Sequence, residues 1–339
     1  MRKSRANITI DLDAKGKHHG HICFAKSVDD SAWGQIRLPV TVIRNDSGSG
    51  SGSGKTLLLV AGNHGDEYEG MVAQFKLAQK LQEDDVRGCV IILPCLNFPA
   101  VAAGMRTSPL DGGNMNRAFD GDAGGNWTQQ IAHFVTTELL PRADIVLDMH
   151  SGGKTLDFIP SAVMHRLEDE KQMRETAAAL KAFAAPVSMV LEEDTSGMLD
   201  GAAERRGKIF ISTELGGRGS VVAERVAIAE NGIHNVMAHF GIIDAPLQKS
   251  ETPTRFMDTP AENFIRATRS GIYEPLADLG DTIAEGDPVG QIWDFHNLCT
   301  APEIYAAPSD GIIYARHVPG LIAPGDCMAL VAVASEMQE

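Results

Sequence analysis

The segment T-L-L-L-V-A-G-N-H-G-D-E, residues 56–67, passes from an uncharged, strand-like run into a polar turn. Its apolar half reads as a strand buried on both faces, because no polar residue interrupts it. Its polar half holds Asn63, His64, Asp66 and Glu67. An open α/β sheet places its sites beyond the carboxyl ends of its strands, so the residues just past each apolar run matter most. The same passage recurs along the chain. The run V-I-I-L-P (90–94) leads into a glycine-rich loop with Arg106, Asn114, Asn116 and Arg117. I-V-L-D-M (145–149) leads into His150-Ser151-Gly152-Gly153, and I-F-I-S-T (209–213) into Glu214-Leu215-Gly216-Gly217.

Outward from these runs, residues 55–240 alternate strand-like and helical patterns, which predicts an α/β sheet, largely parallel at its centre and flanked by helices. Strands are expected at Thr56–Ala61, Val90–Pro94, Asp144–Met149, Val187–Leu191 and Lys208–Thr213. Helices are expected at Tyr68–Gln82, Trp127–Leu140, Leu167–Phe183, Met198–Arg206 and Val221–Phe240. The first 45 residues alternate as short antiparallel strands at a sheet edge, with His18, His19 and His21 in a solvated loop. Residues 47–54, S-G-S-G-S-G-S-G, form a flexible linker. The G-S-G-K-T at 52–56 is not a phosphate-binding loop, because it leads into a strand rather than a helix.

After about Thr254 short β segments between Gly, Pro and Asp turns replace the helices, dividing the chain into a catalytic domain over 1–254 and a β-rich domain over 255–339. Residues 270–292 and 309–331 share a Gly-Ile-aliphatic opening and a later Gly-Asp, which predicts a barrel-like sandwich of two related halves. The pattern is similar to lipoyl and biotinyl carrier domains, but no lysine lies between methionines at the expected turn. An accessory role therefore fits better than a carrier arm.

Composition narrows the function. The 339 residues carry 45 acidic and 30 basic side chains, a net charge of −15, which opposes the phosphate attraction that nucleic-acid binding needs. Neither an apolar leader segment nor a run long enough to span a bilayer is present, so no membrane role is expected. The five cysteines, at 23, 89, 95, 299 and 327, form no C-x-x-C pair and point to a reducing cytoplasm. Cys89 and Cys95 read as core residues. Composition leaves open whether the chain forms a homo-oligomer.

His64 and Glu67, spaced H-x-x-E, present an imidazole and a carboxylate from one tight turn. With His150 they would give two nitrogens and one carboxylate around a metal, leaving a fourth position for water as catalytic zinc requires. Glu214 is the candidate base, since hydrolysis by water needs a carboxylate that takes its proton and passes it on. Gly216 and Gly217 would let the backbone approach a ligand. Asp148 shares a strand face with His150 and would orient a metal-bound imidazole, that of His64, or serve as a plain buried hydrogen-bonding group. Arg117 beside Asn116 suits bidentate capture of a carboxylate, and Arg106 could polarise a carbonyl.

Together G-N-H-G-D-E-Y-E-G (62–70), N-M-N-R (114–117), D-M-H-S-G-G (148–153) and T-E-L-G-G (213–217) resemble the succinylglutamate desuccinylase and aspartoacylase family of the zinc carboxypeptidase superfamily. The resemblance implies a zinc-carboxypeptidase-like mixed sheet and one Zn2+ per chain on His64, Glu67 and His150. It also implies Glu214 as base, Asn116 and Arg117, with Asn114 nearby, as carboxylate binders, and Arg106 at the scissile carbonyl. The implied partner is a small N-acyl amino acid. Within the family, S-V-D-D-S-A-W-G-Q-I-R-L-P-V-T-V-I-R-N (27–45) is most similar to the branch that acts on N-alpha-acetyl-L-2,4-diaminobutyrate in ectoine breakdown. That substrate carries a side-chain ammonium, for which Glu192, Glu193 and Asp194 are the candidate acids. N-succinylglutamate, N-acetylaspartate and C-terminal peptides are the alternative substrates, and a non-enzymatic carrier is the alternative class.

Overall fold

Four strands, Gly88–Leu93, Thr56–Ala61, Ile145–His150 and Ile209–Glu214, lie side by side in that order and are all parallel in the computed structural model of the chain. That structure describes residues 4–45, 54–250 and 253–335. The linker expected over 47–54 lies outside the described residues except for Gly54. From the Thr56 strand the chain goes first to a neighbour on one side and later to one on the other. The crevice at this reversal lies beyond the carboxyl end of Thr56–Ala61, where His64 and Glu67 follow.

Alternation along the central strands builds two cores. Leu57, Leu59, Ile145, Leu147, Ile209 and Ile211 face the helices Glu69–Lys80, Glu170–Phe183 and Ala223–His239. Leu58, Val60, Val146 and Phe210 face Trp127–Phe134 and Leu199–Glu204. Burying each such side chain contributes roughly 1.5–3 kcal/mol, so a strand covered on both faces is anchored at nearly every residue. Its carboxyl end is then a rigid place to hold a polar group. Asn126 and Asp169 start two of these helices by accepting the backbone N–H of Gln129 and Gln172.

The edges differ from expectation. The amino-terminal strands are long: Gly16–Val28 and Ser31–Asn45 form a hairpin, and the second pairs antiparallel with Gly88–Leu93. His18, His19 and His21 belong to that hairpin rather than to a solvated loop, and His19 Nδ1 meets the Thr41 hydroxyl at 2.8 Å. Cross-strand pairing over a dozen residues overrides the local polarity of H-H-G-H. The helix expected to Leu140 is α only to Phe134, then continues as a π-type turn over Val135–Leu139. Two strands went unpredicted, Leu156–Phe158 and Ser161–His165. The second inserts antiparallel beside Ile209–Glu214 and parallel to Val187–Leu191.

The carboxyl-terminal region has the expected internal repeat. Each half contributes a strand, a two-residue strand and a second strand: Gly271–Pro275, Thr282–Ile283 and Pro288–Trp293, then Gly311–His317, Leu321–Ile322 and Cys327–Ala334. The short strands are exchanged, Thr282–Ile283 pairing with Gly311–His317 and Leu321–Ile322 with Gly271–Pro275. The matching turns close alike, with Asp287 and Asp326 accepting from the backbone of Ala284 and Ala323 at 3.0 and 2.9 Å. Tyr273, Val289, Ile292 and Val331 form a core of its own. The proposed division near Thr254 is nonetheless bridged by strand pairing. Arg255–Asp258 extends the sheet from Val187–Leu191, and Leu156–Phe158 pairs antiparallel with Gly311–His317.

Candidate metal centre and its cavity

The turn after Thr56–Ala61 depends on Gly65, where a Cβ would stand 2.1 Å from the Ala100 backbone; its N–H donates to Met105 O at 2.9 Å. Pinned there, His64 and Glu67 are each 2 % exposed, and His150 is 9 % exposed at the end of its strand. One ligand atom from each residue lies within 4.8 Å of the others, and the imidazole centroids are 5.3 Å apart. A tetrahedral zinc with bonds of about 2.0–2.2 Å would hold its ligand atoms roughly 3.4 Å apart, so a small contraction suffices. This donor set could hold a metal.

The surrounding charges act oppositely on the two imidazoles. Burial, helped by His150 and Arg106, pushes His64 down to about 2, leaving it in the neutral form that ligates metals. Burial would also lower His150, but Asp148 and Glu67 raise it well above its ordinary value: Nδ1 lies 2.9 Å from Glu67 Oε2 and Nε2 2.9 Å from Asp148 Oδ2. Asp148 therefore orients His150, with Asn63 donating to the same oxygen at 3.0 Å, and not His64, whose Nδ1 meets the Arg106 carbonyl at 3.3 Å. Two residues apart on one strand face, Asp148 and His150 are close enough to bond directly, which settles the choice.

Glu214 stands opposite His150 in the parallel register. Its Oε2 is sealed from solvent without a hydrogen-bond partner, and burial followed by repulsion from Glu67 raises its carboxyl to about 8. Arg106 donates to Glu67 Oε1 at 3.2 Å. Asn116 accepts from Leu199 N at 3.0 Å, and Arg117 donates to the Asn116 carbonyl at 2.6 Å. His64, Glu67, His150, Glu214, Arg106, Asn116 and Arg117 line one cavity of about 250 Å3. Glu193 lines it too, held by His165 Nε2 at 3.2 Å. Asn114 and Asp194 are not part of its wall; Asp194 is exposed and accepts from Ser196 N in its own turn. Gly216 and Gly217 do not approach the cavity as expected. A Cβ on Gly217, where φ is +149°, would stand 1.9 Å from Leu156 O, and one on Gly216 would meet Arg225 at 2.2 Å. Gly217 makes room for the strand that joins the two regions, and Gly216 for the Arg225 guanidinium.

Sequence reading missed His165, Asp200, Phe264, Tyr314 and Leu330, which also line the cavity. His165 ends a strand too short to announce itself, and Asp200 lies in the first turn of a six-residue helix. The last three come from the distant carboxyl-terminal region, Phe264 from a short strand that pairs with Cys327–Ala334 and the other two from the repeat itself.

Residues 53–240 match the succinylglutamate desuccinylase/aspartoacylase catalytic domain. An N-alpha-acetyl-L-2,4-diaminobutyric acid deacetylase of Halomonas elongata is 43 % identical over 98 % of this chain and 96 % of its own. The product-bound structure of the ectoine utilization protein EutE (DoeB) from Ruegeria pomeroyi superposes with a TM-score of 0.94 at 44 % identity, covering 98 % of this chain and all (100 %) of that one. A succinylglutamate desuccinylase from Silicibacter sp. TM1040 also gives 0.94 at 44 % identity, covering 99 % and 100 %.

Proposed function

This chain belongs to the succinylglutamate desuccinylase/aspartoacylase family of N-acyl amino acid hydrolases, and on that premise we propose that it hydrolyses N-alpha-acetyl-L-2,4-diaminobutyrate to acetate and 2,4-diaminobutyrate. The observation that carries the reading is the meeting of His64, Glu67 and His150 within 4.8 Å, with Glu214 beside His150. One zinc ion per chain would be held by the two imidazoles and the Glu67 carboxylate. When bound, it supplies Lewis acidity, acidifying water and polarising a carbonyl.

The chain's own groups do the rest. Glu214, whose raised pKa suits proton exchange near neutral pH, takes a proton from the attacking water and delivers it to the leaving amine. Arg106 faces the carbonyl oxygen as negative charge develops on it. Arg117 and Asn116 bind the substrate carboxylate, the guanidinium supplying charge and the amide direction. The buried Tyr314 and Leu330 close the far wall, and a cavity of about 250 Å3 suits a small amino acid derivative better than a peptide.

A cytoplasmic setting fits the five free cysteines and the absence, among the described residues, of any helix long and apolar enough to cross a membrane. The test is hydrolysis of N-acetyl-diaminobutyrate, N-acetylaspartate and N-succinylglutamate with metal analysis of the same sample. Fastest turnover of the first, with zinc near one per chain, is expected. Preference for either other substrate would reassign the acyl amino acid, and activity without bound metal would remove the centre from the chemistry.

A further inference from the structure

We propose that Asp200, together with Glu193 and positioned by His165, forms the subsite that binds the side-chain ammonium of the substrate. The inference rests on the diaminobutyrate reading above and extends it to Asp200 and His165, which that reading does not use. The Asp200 side chain is 10 % exposed and lines the same cavity as His64, Glu67 and His150. Its Oδ1 is buried without a hydrogen-bond partner. Oδ2 lies 3.9 Å from His165 Nε2, beyond hydrogen-bond length. Nor can His165 turn to satisfy it, because Nδ1 is taken by Glu204 at 2.8 Å and Nε2 by Glu193 at 3.2 Å.

Three carboxylates thus surround one imidazole, and two of them, Glu193 and Asp200, line the cavity. Burial, opposed by His165 and aided by Asp148, lifts Asp200 to about 6. An ammonium brings three N–H donors and a positive charge, and would supply what is missing. Arg117 acts electrostatically on Glu193, so the guanidinium for an α-carboxylate and the carboxylates for an ammonium are neighbours. A short diamino acid presents its two charges in the same way, a few bonds apart.

The closing experiment measures calorimetric binding of 2,4-diaminobutyrate and of norvaline, in which a methyl replaces the ammonium, to the metal-loaded enzyme. Wild type should prefer diaminobutyrate, and Asp200→Asn should reduce that preference about 10- to 100-fold, the usual worth of a charge-assisted hydrogen bond. Asp200→Glu keeps the charge but lengthens the acid, and should shift preference toward the shorter 2,3-diaminopropionate. If Asp200→Asn does not fold, this second variant decides. Equal wild-type binding of diaminobutyrate and norvaline, or variants with unaltered preference, would overturn the subsite. Selective binding without hydrolysis of any N-acyl amino acid would overturn the reaction and leave the subsite standing.

Discussion

The parallel centre and the carboxyl-terminal repeat region meet at one cavity but reach it by different routes. In the centre each polar group follows its strand within a few residues: His64 after Thr56–Ala61, His150 at the end of Ile145–His150, Glu214 at the end of Ile209–Glu214. In the repeat region Tyr314 and Leu330 face the cavity because Gly311–His317 pairs with Leu156–Phe158 and Cys327–Ala334 pairs with Arg255–Asp258. The first route puts chemistry where local sequence dictates. The second puts walls where long-range pairing dictates, so damage to the two should register in different measurements.

The sharpest separation comes from Glu214→Gln. The amide keeps size and hydrogen bonding but cannot take a proton, so turnover should fall by about 10²- to 10⁴-fold with zinc content and melting temperature nearly unchanged. Activity within tenfold of wild type would take the base role from Glu214 and weaken the claim that strand ends hold the chemistry.

The seam gives the converse. Asp157 is 0 % exposed on Leu156–Phe158, hydrogen-bonded by Arg218 and 2.7 Å from Arg225 Nη1. Asp157→Ala would leave buried guanidinium charge uncompensated and should cost about 3–5 kcal/mol in denaturant unfolding, the usual result of breaking a buried ion pair. A loss below about 1 kcal/mol would mean that these ion pairs do not hold Leu156–Phe158 in place. A gentler probe is Tyr314→Phe, which removes the hydrogen bond at 2.6 Å between the Tyr314 and Ser161 hydroxyls across the same seam. It should lower stability by about 1–2 kcal/mol.

The same division explains how much could be read from the chain alone. The run at 56–61 and the polar turn after it announce a buried strand and its site because both signals lie within a dozen residues. Asp148 and His150 share a strand face by spacing, yet which imidazole Asp148 touches depended on tertiary geometry. Gly216 and Gly217 look like ligand-approach glycines in T-E-L-G-G, and only the tertiary structure shows what they admit, Arg225 at the first and Leu156 at the second. His165 was invisible for a related reason: Ser161–His165 owes its place to neighbours on both sides, one from 187–191 and one from 209–214.

His165 also supplies the smallest and most specific test. Burial alone would lower its pKa, but the carboxylates of Glu193, Glu204 and Asp200 hold it at about 10, against an ordinary 6.5. A group with a raised folded-state pKa contributes stability that is complete below its unfolded value and disappears as pH rises through the folded one. Unfolding midpoints should therefore decline from pH 6.5 towards pH 10, and Glu193, whose pKa is lowered, stays ionised throughout that window. His165→Gln should start lower and show a shallower decline, so the difference between the two proteins isolates the imidazole from other groups titrating nearby. Parallel curves would mean that His165 is neutral in the folded enzyme. Glu193 and Glu204 would then lack the positive charge that sets them around Asp200, and this end of the cavity would owe its shape to packing alone.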